Sequence, residues 1–335
     1  MFIVESYGLA VALCWVTMLC WGSWGNTQKL AARTWRYELY YWDYVIGILL
    51  FSLVWGFTLG SFGEQGRSFM EDLFQVSAGN FWSVFLGGVI FNASNILLSA
   101  SMSLAGMSVA FPIGVGLALV LGVFINYFST PKGDPVILFL GVFLIVLAII
   151  FNGIASGKVS KGSVHDTRKK GILIAICAGI LMAFFYRFVA VAMDLDNLES
   201  PTAGMMTPYS ALFVFAVGIF ISNFLFNTFV MKKPFMGEPV AYSQYFKGSM
   251  GTHMVGVLGG IIWALGTACS YIAAGKAGAA ISYALGQGAT MVAAFWGVFI
   301  WKEFKGASRS INIMLACMFI LFISGLVLII VSGGS

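Results

Sequence analysis

The sequence predicts an all-α polytopic membrane protein, ten transmembrane helices in two inverted five-helix repeats. Three observations carry this. Of 335 residues, 60% are apolar and only 9% charged, with a mean hydropathy of +0.93, whereas a soluble domain carries about a quarter charged residues. Ten apolar runs have the roughly 20-residue length that lets a helix cross the hydrocarbon core. Finally, the stretch Gly87 to Gly122 recurs at a constant offset of 172 residues as Gly259 to Ala294, with 8 identities in 36 positions, where this composition gives roughly three by chance.

The runs cover about 7–26, 41–61, 81–103, 107–128, 135–154, 171–192, 209–230, 252–274, 279–301 and 310–331. Span one lacks a basic leader, carries Glu5 before it and leads into a basic loop, so it reads as a retained span and not as a cleaved signal. Span five contains VILFLGVFLIVLAIIF at 136–151, a continuous apolar run that a β-barrel strand, apolar on one face only, would not show. The polar stretch 155–170, ASGKVSKGSVHDTRKK, reads as a Gly/Ser-rich cytoplasmic linker. It divides a first five-helix repeat, 1–154, from a second, 171–335. An odd number of spans per repeat sends the second copy into the membrane upside down. Inverted repeats around a central site are the architecture of alternating-access carriers.

Charge sets the expected orientation. Loops one, five, seven and nine, with their flanking helix ends, hold Lys29, Arg33, Arg36, Lys158, Lys161, Arg168, Lys169, Lys170, Lys232, Lys233, Lys247, Lys302, Lys305 and Arg309, which is 14 of the 18 basic residues. The positive-inside rule places these odd-numbered loops in the cytoplasm and both termini outside. The net charge of +5 is therefore a matter of membrane topology, and no clustered basic surface points to a nucleic-acid partner. The five cysteines all fall inside spans, without metal-ligand spacing, and read as small packing residues. His165 lies in the linker and His253 begins span eight, neither with a carboxylate or cysteine at ligand spacing. With no strands, no phosphate loop and no nucleophile elbow, no enzyme and no cofactor is expected.

Polar groups inside hydrocarbon need a partner or a wet cavity. Span three places Asn92, Asn95 and Ser99 on one helix face, and span eight places Trp263, Thr267 and Tyr271 on a comparable one. Span four has a Pro-Gly stretch, FPIGVG at 111–116, answered in span nine by YALGQGAT at 283–290, which carries Tyr283 and Gln287. Both stretches are expected to loosen the helix, tolerated only beside protein or a cavity. Each amide alone reads as helix–helix glue; their recurrence in both halves reads as a central binding site. Span one ends in CWGSWGNTQK, whose Trp21 and Trp24 read either as interfacial anchors or as stacking platforms for a flat or ring-shaped solute, with Asn26 and Gln28 beside them. Asp43, opening span two, reads either as a proton-coupling carboxylate or as a helix N-terminal charge paired with Arg33 or Arg36. Glu5 is a second proton candidate, with a capping or surface role as its alternative. Arg187 is expected to snorkel outward, and Glu303 to pair with Lys302 or Lys305.

The opening MFIVESYGLA, GSWG at 22–25, the Asp43–Tyr44 pair, LAGMSV at 104–109 and AGKAGAAISYALGQGATMVAAFWGVFIWKEF at 274–304 resemble the plant ureide permeases, and the resemblance runs along nearly the whole chain. It implies the drug/metabolite transporter superfamily, near the bacterial glucose/ribose and rhamnose carriers, with a two-times-five helix fold and proton-coupled uptake of small neutral polar solutes such as allantoin, uracil and oxopurines. The plant proteins have a longer central cytosolic loop, so this compact chain resembles a bacterial version, expected in the inner membrane. The expectation is a secondary transporter taking up a ureide, nucleobase or nucleoside by alternating access. Trp21, Trp24, Asn92, Asn95, Trp263, Tyr283 and Gln287 would bind it, and Asp43 and Glu5 would couple protons. The partners are then the small-molecule substrate, protons and the lipid bilayer. A sugar symporter and a drug or metabolite exporter of the same fold share these features.

Overall fold

The computed structural model describes residues 1–129, 131–159 and 165–334. Among them are ten helices long and apolar enough to cross a membrane: Tyr7–Ala31, Tyr37–Phe57, Ala78–Ala105, Val109–Ser129, Pro135–Ala155, Thr167–Ala190, Pro208–Lys232, Met250–Ala277, Ala279–Ile300 and Arg309–Gly334, called spans one to ten below. All ten sequence-derived runs fall on them. A helix satisfies its backbone groups internally, which hydrocarbon demands.

Spans three and eight are the same length and lie at the 172-residue offset. Each has 28 residues, opens on a serine N-cap (Ser77, Ser249) and closes at a glycine of positive φ (Gly106 at 86°, Gly278 at 84°). The Ser77 and Ser249 hydroxyls accept from the Asn80 and Thr252 amides at 3.3 and 3.2 Å, satisfying donors that a helix start leaves open. At Gly106 and Gly278 a left-handed backbone turns the chain straight into the next span, a conformation glycine adopts without Cβ strain.

Span three packs along spans six and seven, and span eight along spans one and two. Span four packs on six, span nine on one, and spans five and ten on each other. Glycines set the closest of these approaches. A Cβ on Gly88 would lie 2.2 Å from the Phe215 carbonyl oxygen of span seven, and one on Gly260 would lie 2.0 Å from the Tyr44 carbonyl oxygen of span two. Backbone-to-backbone contact of this kind is how helices associate where lipid removes the hydrophobic drive.

Two expectations about continuity fare differently. Span nine is jointed at Gly288, between Ala279–Gln287 and Ala289–Phe295, and ends in a π-helical turn, Trp296–Ile300. Span four is not broken: one helix, Met107–Ser129, runs through Pro112. Pro112 removes a single backbone bond near the helix start, and the glycines behind it serve packing, Gly114 against the Ala175 carbonyl and Gly116 against Ile149. A joint that sequence reading did not place occurs in span one at Trp24, between Tyr7–Ser23 and Gly25–Ala31. The stretch 155–170 is helical at both ends, since helices Pro135–Val159 and His165–Ala190 reach into it. The rest of that linker, 160–164, lies outside the described residues.

Candidate functional site

The joints of spans one and nine face each other, Gly22 resting on Ala289 and Val292. Beside them is a cavity of only ≈ 20 Å³, room for about one water, bounded by Trp21, Trp24, Asn95, Trp263 and Gln287 together with Phe91, Phe111 and Phe185. Leu98, Val115, Met182 and Ala289 complete it, and no ionisable side chain borders it.

The aromatic walls are ordered by specific contacts. The Trp21 and Trp263 rings are nearly parallel, 8° apart in plane with centroids 6.1 Å apart, and Phe91 lies 4.2 Å from Trp263. Trp21 Nε1 donates to Thr267 Oγ1 at 3.1 Å, which fixes the orientation of the ring. Trp24 packs against Tyr44 and Phe111 with centroids 4.9 and 6.2 Å apart. Both tryptophans are buried, so neither is an interfacial anchor. The amides differ. Asn95 Nδ2 donates to Tyr41 Oη at 3.3 Å, a long bond that ties span three to span two. Gln287, 2% exposed at the joint of span nine, faces the cavity with Tyr283 behind it.

Five of the seven sequence-derived binding residues thus meet at one cavity. Asn92 and Tyr283 do not border it. Asn92 Nδ2 donates to Ser222 Oγ at 2.9 Å, joining spans three and seven. The Tyr283 hydroxyl lies 3.2 Å from both the Ala118 and Met182 carbonyl oxygens, and its ring fills the space beside Gly122. Tyr283→Phe is therefore expected to lower stability by about 1 kcal/mol while leaving transport intact; a loss of transport at normal protein level would count against this assignment. The polar face of span three serves three neighbours, since Ser99 Oγ donates to Gln28 Oε1 at 2.7 Å in span one. The phenylalanines of the wall carried no sequence signal, being indistinguishable from lipid-facing ones until packing is known.

Asp43 is 2% exposed and is not paired with Arg33 or Arg36. Its Oδ1 accepts from Tyr245 Oη at 2.6 Å, and His253 Nδ1 lies 3.0 Å from both carboxylate oxygens. The histidine that lacked a carboxylate at ligand spacing in sequence finds one across the helix interface. Arg36 instead pairs with Glu38. Glu5 is exposed ahead of span one, and Arg187 is exposed as expected of a snorkelling side chain. Glu303 pairs with Lys29 at 2.6 Å, not with Lys302 or Lys305.

A ten-span helical bundle closed around an uncharged aromatic and amide cavity has the build of a membrane transport protein. The family model for ureide permeases matches residues 40–170 and 158–332. The chain belongs to the ureide permease family, transporters and not enzymes. Ureide permease 2 of Arabidopsis thaliana is 24% identical over 100% of this chain and 99% of its own length, and ureide permease 1 of the same plant is 22% identical over the same shares. The glucose uptake protein GlcU of Bacillus subtilis is 26% identical over 82% of this chain and 83% of its own. A solved crystal structure superposes with a TM-score of 0.53 over 95% of this chain and 97% of its own at 14% identity, a likeness of fold alone.

Proposed function

We propose that the protein is a proton-coupled importer of a small neutral polar solute, a ureide, nucleobase or nucleoside, working by alternating access. The observation that carries the substrate class is the cavity wall: tryptophans, phenylalanines and two amides, with no ionisable group. A zwitterion or a phosphate would meet no counter-charge there, whereas a flat neutral ring can stack on Trp21 or Trp263 and bond its polar edge to Asn95 and Gln287. The names of the plant relatives, ureide permeases, favour a ureide among these.

Two inverted five-helix repeats, 1–154 and 171–335 about the 155–170 linker, are supported by the packing. Raising every span number by five turns the three–seven pair into eight–two, three–six into eight–one and four–six into nine–one, while five–ten maps onto itself. The basic-residue asymmetry supports odd-numbered loops in the cytoplasm and termini outside, and a linker shorter than the plant family's supports residence in a bacterial inner membrane. A sugar symporter is the second reading, favoured by the Bacillus glucose uptake relatives, since aromatic platforms and amides also bind pyranoses.

The test is a thermal-shift screen of the purified protein against allantoin, uracil, hypoxanthine, nucleosides, rhamnose, ribose and glucose, followed by counterflow in proteoliposomes with whichever solute binds. A ligand of the folded state stabilises it by roughly 2.7 kcal/mol at 100 times its dissociation constant. Ureides or nucleobases alone are expected to shift the melt; a shift with sugars alone would overturn the substrate class. Gln287→Ala and Asn95→Ala are each expected to reduce counterflow by about five- to thirtyfold, given that a lost bond to a polar solute edge is worth roughly 1–2 kcal/mol. Normal transport in both at equal protein level would place the site elsewhere.

A further inference from the structure

The described residues include three buried carboxylates held by a basic side chain, and they are not held alike. Glu38, 0% exposed, is paired with Arg36, and Asp72, 0% exposed, with Arg67. An arginine never gives up its proton in a protein, so those two pairs are permanent. Asp43 is held instead by an imidazole, the side chain whose charge changes near neutral pH.

The geometry around that imidazole is directional. Nδ1 faces Asp43, while Nε2 lies on the side of Gly248, where an added Cβ would meet it at 2.8 Å. Gly248 lines, with Trp35, Ser249 and Thr252, an open pocket of ≈ 520 Å³ at the basic-loop face of the bundle. The imidazole, 22% exposed, thus stands between the residues of this pocket and a carboxylate that is only 3% exposed. Trp35 closes the edge, stacked on Tyr245 at 5.6 Å and edge-on to His253 at 4.6 Å.

Asp43 is also wired to the solute cavity through its own helix. Tyr41 Oη receives the bond from Asn95 Nδ2, and the Tyr44 ring lies 4.9 Å from Trp24. Asn95 and Trp24 both border the cavity. Span two meets span eight almost backbone to backbone at this height: Gly256 abuts Asp43, Gly260 the Tyr44 carbonyl, and Gly47 the Val257 carbonyl. A shift of span two against span eight would therefore move the carboxylate and two cavity walls together.

We propose that His253 is the port through which Asp43 releases the transported proton toward the basic-loop face, which makes Asp43–His253 the coupling pair and Tyr245 its latch. This rests on the proton-coupled reading above. The proton on the Asp43 carboxyl group passes to Nδ1 of the neutral imidazole, the proton on Nε2 leaves to water on the pocket side, and the imidazole is left neutral beside a carboxylate. The carboxyl group, while neutral, holds the Tyr245 hydroxyl and the imidazole less tightly, freeing span two to move along the glycine seam. Among the described residues, the other ionisable groups near the pair are Tyr40 of span two, Tyr245 and Lys247 of the segment before span eight, and Arg36 at the pocket rim with its buried partner Glu38. Span seven meets this stretch through Asn227 and Met231, which do not titrate.

The chain has two histidines, so the His253 ring signal is readable by NMR of histidine-labelled protein, assigned with His253→Gln. In Asp43→Asn the His253 ring signals are expected to shift, because Nδ1 loses the charged partner it faces. In proteoliposomes Asp43→Asn is expected to lose at least tenfold of uptake driven by a pH gradient while keeping solute counterflow. His253→Gln is expected to slow gradient-driven uptake more than counterflow. Unmoved His253 ring signals would overturn the pair. Gradient-driven uptake of wild-type size in Asp43→Asn would also overturn it, leaving the cluster a structural clasp. Wild-type protein that shows counterflow but no response to a pH gradient would remove proton coupling itself, a failure distinct from both, and with it the role given to the pair.

Discussion

Gly260→Ala is expected to destroy the fold or to lower the melting temperature in detergent by more than any substitution in the cavity. The added Cβ would sit 2.0 Å from the Tyr44 carbonyl oxygen and 2.9 Å from the Ile48 nitrogen. Both are backbone atoms of the continuous helix Tyr37–Phe57, and neither can turn aside as a side-chain tip could. Spans two and eight would have to part, loosening every contact along the seam. Overpacking in a core costs about 1–3 kcal/mol, occasionally more, and this site lies at the severe end. Gly88→Ala should behave alike, its Cβ falling 2.2 Å from the Phe215 carbonyl oxygen between spans three and seven. Gly153→Ala in span five meets nothing within 4 Å, and should be neutral or stabilise by up to about 1 kcal/mol through helix propensity. Melting curves of the three variants check this; a Gly260→Ala curve overlying that of Gly153→Ala would mean the seam is looser than the structure has it.

Arg67→Ala is expected to cost roughly 3 kcal/mol. Asp72 is completely buried in the segment between spans two and three, where the short helix Phe69–Gln75 lies against span seven. Its carboxylate accepts from Arg67 Nε at 2.9 Å, Gln75 Nε2 at 3.2 Å and the Thr207 amide at 2.7 Å, and from the Ser210 hydroxyl. Arg67 in turn donates to the Met205 and Thr202 carbonyls at 2.8 and 3.2 Å. One ion pair thus clamps a loop of the first half to the chain entering span seven. Deleting the arginine strands a buried charge, the situation in which breaking a buried pair costs about 3–5 kcal/mol, reduced here because Arg67 is 21% exposed. The cycle with Asp72→Ala decides the cause: the double variant should be more stable than the sum of the single losses. Simple additivity would show that each side chain acts through its own packing and not through the pair.

The fold was legible because hydropathy is a local property, and hydrocarbon thickness turns it into length. All ten spans could be read that way, and the ends of spans three and eight were sharpened only by the Ser77 and Ser249 caps. Pro112 misled because proline near a helix start removes little, and Gly114 and Gly116 turned out to be contact points and not hinges. At the cavity, Trp21, Trp24, Asn95, Trp263 and Gln287 were readable as polar or aromatic residues out of place in apolar helices. Asn92 looked the same in sequence, yet faces Ser222, since helix periodicity gives a face but not the neighbour it meets. The Asp43–His253 contact joins residues 210 apart. No spacing rule reaches across two helices, so the histidine was passed over.

The cavity's size of ≈ 20 Å³ bears on affinity. The proposed solute needs more room than the single water this space holds, so the conformation described here is a closed one and binding requires it to open. The measured dissociation constant is then the intrinsic one divided by the fraction of competent molecules. Substitutions that only weaken the closed form, such as Ser99→Ala at the Gln28 contact, should tighten apparent binding without touching the solute. A weak affinity measured on the wild type would in that case report the poise of the resting equilibrium, not a poor fit between solute and wall.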